Sequence, residues 1–177
     1  MENSVSFRSE SEGPITLRER IERAESFDMK AVTARFQKKT GTDPERTKLL
    51  EVELKRYLIM CAENQNESFG ISHHVDELWH TFILFTKDYF KFCKYVCGGY
   101  IHHAPLEGRR EMTATDAAAL YKKAYETYTR TFGFVPPTDL WPITTENTKS
   151  SGGCGGLQEC TGGPPYEPPC CDSHTGG

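Results

Sequence analysis

From Val75 to Cys97 the apolar residues recur at helical spacing, and this run constrains the fold more than any other part of the chain. At ~100° per residue, Val75, Leu78, Trp79, Phe82, Ile83, Phe85, Tyr89, Phe90, Cys93, Val96 and Cys97 share one broad face. The spacing predicts a helix from about Ser72 to about Cys97, with Ser72 as its cap and Gly98-Gly99 as its stop. A face this wide and aromatic belongs at the centre of a core.

Shorter helical patterns flank it. Ile15, Leu17, Ile21, Phe27, Met29, Val32 and Phe36 are spaced for one or two short amphipathic helices, ended by Gly41. Thr42 or Asp43 then caps a further helix, with Pro44 at its first position and Glu45 at its positive end. Leu49, Leu50, Val52, Leu54, Tyr57, Leu58 and Cys61 form its apolar side through about Ala62. Asn64 to Ser68 reads as a loop and Gly70 as a break. A last helix is predicted from about Thr115 to Phe132, stopped by Gly133, with Pro136 to Pro142 as an extended strap. No strand alternation competes, so the fold class expected is all-α, a bundle of about four to five helices.

Composition divides the 177 residues into three parts. Residues 1–13 read as a flexible polar arm, 14–146 as the helical domain, and 147–177 as a disordered tail rich in Gly, Cys and Pro. A unit of 130 residues or so can bury its own core without disulfides. The seven cysteines divide unevenly, with Cys154, Cys160, Cys170 and Cys171 in the tail, and an odd count without a secretory signal favours reduced thiols in the cytosol. The net charge of −4 argues against nucleic acid as a partner. No apolar run approaches the ~20 residues of a membrane span. A protein partner engaged through the tail remains an open reading, as does loose binding of soft metals by its thiols and His174.

The chemistry-bearing stretch is His73-His74-Val75-Asp76-Glu77-Leu78-Trp79-His80, answered by His102-His103. His73, Asp76, Glu77 and His80 fall within an arc of roughly 80° on the helical wheel. Imidazole and carboxylate suit zinc or ferrous iron, and two His with one carboxylate leave positions open for water or substrate. Against this stands a plain alternative. Lys87, Lys91 and Lys94 share that side, and Asp76 and Glu77 complement the helix N-terminus without any ion. Cys93 and Cys97, four residues apart near His102-His103, form a second Cys/His combination, although both lie on the apolar face. No nucleophile motif, phosphate loop or dinucleotide fingerprint occurs. No reaction can be read from the residues.

Val75-Asp76-Glu77-Leu78-Trp79-His80, Thr86 to Cys93, Gly98 to His103 with Pro105, and Phe132-Gly133 through Pro142 together resemble the bacterial glycine-rich domain-containing proteins, and more distantly the plant glycine-rich domain proteins. The likeness runs over roughly residues 27 to 156, and Phe82 stands where members often carry a second His. Asp76, Trp79, His80, His102 and His103 map onto the family pattern. The resemblance implies a functional His/Asp cluster and no established activity. The expectation is thus a divalent-metal site, zinc or iron, formed by Asp76, His80 and one or both of His102 and His103. If a bound ion is catalytic, hydrolysis with Glu77 or His73 as base is the least specific reaction. The rival expectation is a non-catalytic interaction module with a purely structural His/Asp cluster.

Overall fold

Capping chemistry sets the helix starts. A computed structural model describes residues 13–103 and 113–142 in full, and residues 157–159 as backbone. Helix α1 (Leu17–Ser26) opens on a capping box, in which Glu19 N–H donates to Thr16 Oγ1 and Thr16 N–H donates to the Glu19 carboxylate. After α2 (Lys30–Thr40), Gly41 takes a left-handed φ of 73°. Asp43 accepts from Arg46 N–H at 3.0 Å to start α3 (Pro44–Glu63), with Pro44 in the first turn. A second capping box, Thr113 with Asp116, begins α6 (Ala114–Phe132), and Gly133 ends it at φ 80°.

The chain is all-α in character, with six α-helices among the described residues rather than four to five. None of the described helices is long and apolar enough to cross a membrane. Helix α3 is the central post. Leu50, Leu54, Tyr57, Leu58, Met60 and Cys61 are buried on it, with α1, α2, α6 and a helix that begins at His73 packed around. Leu49 and Val52, placed on its apolar side by the sequence, are exposed instead. The neighbouring Glu53, a charged residue, is buried on the same helix.

The long helix expected from Ser72 to Cys97 is broken. It forms α4 (His73–Leu84), α5 (Thr86–Phe92) and a wide π-helical turn, Cys93–Cys97, separated at Phe85 by a ψ of 63°. A straight helix of that length would run about 39 Å and overshoot a small core. The bend instead brings the Phe82 ring against Tyr89 (5.1 Å) and Phe92 (5.6 Å). Phe92 is consequently buried, and Phe90, expected on the core face, is 44 % exposed. The wide turn is secured from α1, where Arg20 Nη1 donates to the Val96 carbonyl and Arg23 Nη1 to that of Tyr95.

Ser72 stands at the cap position of α4 but its hydroxyl makes no capping bond; it donates to the Leu140 carbonyl. The strap expected to be extended contains a turn over 138–140, and Leu140 and Trp141 are fully buried. One short strand pairing accompanies the helices. Ser68–Gly70 (β1) pairs antiparallel with Leu157–Glu159 (β2), within the segment read as a tail. Three residues are too few for alternation to register. Gly70 has a packing reason beyond breaking a helix, because a Cβ there would lie 2.7 Å from the Tyr121 backbone nitrogen of α6. The rest of the tail expectation, with its four cysteines, and the arm at 1–12 lie outside the described residues.

Candidate metal centre

Asp76 sits in the first turn of α4 and His80 one turn later, so both side chains project toward the same point. The third group arrives from the segment after Gly98, whose φ of 71° turns the chain back toward α4. A relay of hydrogen bonds fixes that return. Trp79 Nε1 donates to the Tyr89 hydroxyl at 3.1 Å, and the hydroxyl donates to the Ile101 carbonyl at 2.5 Å. Two residues on, His103 lands over Asp76. Its ring meets the edge of Trp79 and packs beside His80, each at 4.5 Å between centroids.

The ligand atoms of Asp76, His80 and His103 all lie within 4.8 Å of one another. His103 Nε2 shares a 2.8 Å hydrogen bond with Asp76 Oδ1, and His80 Nδ1 stands 3.8 Å from Asp76 Oδ2. The carboxylate is 1 % exposed, while His80 is partly open to solvent. Around a tetrahedral ion with bonds of ~2.0–2.2 Å, ligand atoms stand about 3.3–3.6 Å apart. These two separations lie on either side of that spacing. An ion bound at His103 Nε2 would displace the hydrogen bond that this nitrogen shares with Asp76.

His102, the other residue of the expected set, does not join the group. It is exposed, its ring lies 4.8 Å from that of Tyr100, and it lines an open cleft of about 510 Å³ beside the three ligands. His73 is exposed, and its ring lies 5.9 Å from that of His74. Burial, then the Arg46 charge, pushes the His74 imidazole below its ordinary value, and Glu77 acts on the same group. Neither His73 nor Glu77 lines the cleft. The helical wheel grouped them with Asp76 because an angular arc says nothing about which side of it the returning segment covers.

Cys93 and Cys97 are buried and belong to no group of three metal ligands among the described residues. A hydrogen bond with Cys97 holds the Cys93 thiol below its ordinary value, while burial pushes the Tyr89 phenol well above its own. Tyr89 is the positioning residue that sequence reasoning left as mere packing. The available signal was a tyrosine where phenylalanine would fill the same space, since a buried phenol needs partners.

The fold and the cluster together define an all-helical domain with a His/Asp group at the mouth of a cleft. Residues 17–135 match the UCP032817-like family, and the chain belongs to it. The kinship expected with glycine-rich domain-containing proteins is thereby overturned, since no such family is indicated. The short motifs behind that expectation largely hold residues that packing demands, such as Trp79 and Trp141, and the Gly/Cys-rich tail is a similarity of composition. No curated protein and no solved structure gives a significant match.

Proposed function

We propose that the domain binds one divalent transition-metal ion, zinc or ferrous iron, through Asp76, His80 and His103, with its open positions toward the cleft. The observation that carries this reading is the convergence of three ligand atoms from two chain segments within 4.8 Å. Two imidazoles and a carboxylate suit either ion and leave coordination sites for water or substrate. A water bound there would be activated toward hydrolysis. His102 is the described imidazole that lines the cleft without belonging to the ligand group, and it replaces Glu77 and His73 as the candidate base.

Elemental analysis of protein purified without an affinity metal, beside a His80→Ala/His103→Ala variant, tests the proposal. An equimolar ion in the parent and none in the variant is the expected result. Equal and negligible metal in both would overturn it.

A second reading is favoured by the 2.8 Å hydrogen bond, which satisfies His103 and Asp76 without an ion. In it the pair is structural, and residues 147–177 engage a protein partner. Truncating that segment would then abolish partner capture and leave Tm unchanged, whereas an unchanged interaction profile would count against it.

A further inference from the structure

Eight large hydrophobic side chains are exposed among the described residues, and four of them gather at one groove. Leu49 and Val52 of α3, 54 % and 43 % exposed, line it together with Phe134 and Val135 from the segment after α6. The groove encloses about 370 Å³. Scattered apolar residues are ordinary on a surface, whereas a gathered set points to a contact.

The spacing along α3 indicates what fits there. Glu45, Leu49, Val52 and Arg56 recur at intervals of four, three and four residues, which places them within an arc of roughly 60° on the helix. Those intervals read the same from either end, like the seam of a paired helix. The charges do not, because an acid stands at the start and a base at the finish. Laid against a reversed copy of itself, the stripe puts Leu49 opposite Val52 and Glu45 opposite Arg56, and does so twice. Such a contact is isologous, the form that two-fold dimers take. Parallel alignment would instead set Glu45 on Glu45 and Arg56 on Arg56.

Both charged groups are available for the pairing. Glu45 accepts from Lys48 at 2.9 Å, but that pair is exposed and its exchange for an intermolecular one costs little. Arg56 reaches Glu53 and the Tyr128 hydroxyl through Nη1, with its guanidinium 4.9 Å over the Phe134 ring, and an arginine carries further donors.

We infer that this face docks a second copy of the chain, α3 against α3 in antiparallel about a two-fold axis between residues 50 and 51. The inference is independent of the metal reading, since none of its residues belongs to the His/Asp group.

Sedimentation equilibrium of the full chain in reducing buffer, from about 1 to 200 μM, tests it. The mass should rise reversibly toward twice the 20.0 kDa of the chain. Val52→Asp would bury a carboxylate at each of two equivalent places and should weaken the dimer at least about 30-fold. Leu49→Ser, a milder change that also acts twice, should weaken it about tenfold. Both residues are exposed, so an unchanged Tm at low concentration certifies the folded state of each variant. Glu45→Gln reads the orientation. It should weaken an antiparallel dimer about threefold, because two exposed ion pairs are lost. A chain that stays monomeric throughout overturns the inference and leaves the groove to some other occupant. A dimer indifferent to Val52→Asp and Leu49→Ser overturns it by placing the contact elsewhere. A dimer strengthened by Glu45→Gln overturns the antiparallel pairing.

Discussion

Two carboxylates lie inside this domain, and their surroundings differ in kind. Glu53 of α3, 2 % exposed, is surrounded by committed donors. Its Oε1 accepts from Arg56 Nη1 at 2.8 Å and from the Tyr128 hydroxyl at 3.1 Å, and its Oε2 accepts from Trp141 Nε1 at 3.0 Å. None of these donors can ligate a metal cation as it stands. They bind α3, α6 and the C-terminal strap into one unit, and burial together with Glu53 raises the Tyr128 phenol well above its ordinary value. Asp76 of α4, 1 % exposed, faces imidazoles instead, one at hydrogen-bond distance and one at 3.8 Å. Imidazole donates, accepts or ligates according to its proton. Burial alone therefore does not mark a functional carboxylate. The versatility of its partners is what sets Asp76 apart from Glu53.

The largest expected effect comes from the first carboxylate. Glu53→Ala leaves a guanidinium, a phenol and an indole N–H facing a void, and should cost about 3 kcal/mol, with a fall in Tm of about 10 °C. Below that melting point, metal content per folded chain should be unaltered. If the variant instead lost its metal while keeping its stability, the roles assigned to the two carboxylates would be reversed. Asp76→Asn is the complementary change. It keeps shape and a hydrogen-bond partner for His103, so metal-free stability should fall by only about 1–2 kcal/mol. Zinc at a hundredfold excess over Kd should stabilise the parent by about 2.7 kcal/mol and the variant not at all. Thermal melts with and without zinc read both quantities.

Tyr89→Phe sharpens the same comparison. The ring stays in the core while the Trp79 indole and the Ile101 carbonyl lose their shared partner. A loss of about 1 kcal/mol in stability is expected, with a larger consequence for metal affinity of about 10- to 100-fold. Titration with zinc against a competing chelator measures it. Unchanged affinity would mean that His103 is placed by its contacts with Trp79 and His80 alone.

Much of the architecture was legible locally. Asp43-Pro44, Gly41, Gly98 and Gly133 each mark a boundary through conformations that side-chain caps, proline or a left-handed backbone favour, and the boundaries fall there. The break at Phe85 was not legible, because no Gly or Pro marks it. It follows from the need to fold Tyr89 and Phe92 back onto Phe82, which is a property of the whole core. Ser72 shows the same limit at smaller scale, since its position as a cap was readable and its actual acceptor, 68 residues away, was not. At the candidate site the helical arc grouped Asp76 and His80 together with His73 and Glu77. The choice between His102 and His103 depended on the chain path after Gly98 and on the hydroxyl that anchors Ile101. Chemistry is visible in a sequence; which of two adjacent imidazoles turns inward is set by packing.

The smallest effect concerns the point where the two carboxylate regions meet. The Ser72 hydroxyl, immediately before α4, donates to the Leu140 carbonyl, and Leu140 precedes the Trp141 that serves Glu53. Ser72 is buried, so its removal leaves the carbonyl without that donor and without water in its place. Ser72→Ala should cost about 1 kcal/mol, within the range of a single neutral hydrogen bond. The cap itself should lose nothing, because the hydroxyl makes no bond to the helix. The informative quantity is the coupling. If the two regions are independent, Ser72→Ala and Asp76→Asn add to within about 0.5 kcal/mol, and the Ser72 variant binds zinc as the parent does. A larger coupling energy would mean that the strap holds α4 at the angle the metal site needs. The Glu53 cluster would then be the support on which the Asp76 site stands, and the distinction between a structural and a functional carboxylate would become one of distance along a single connected network.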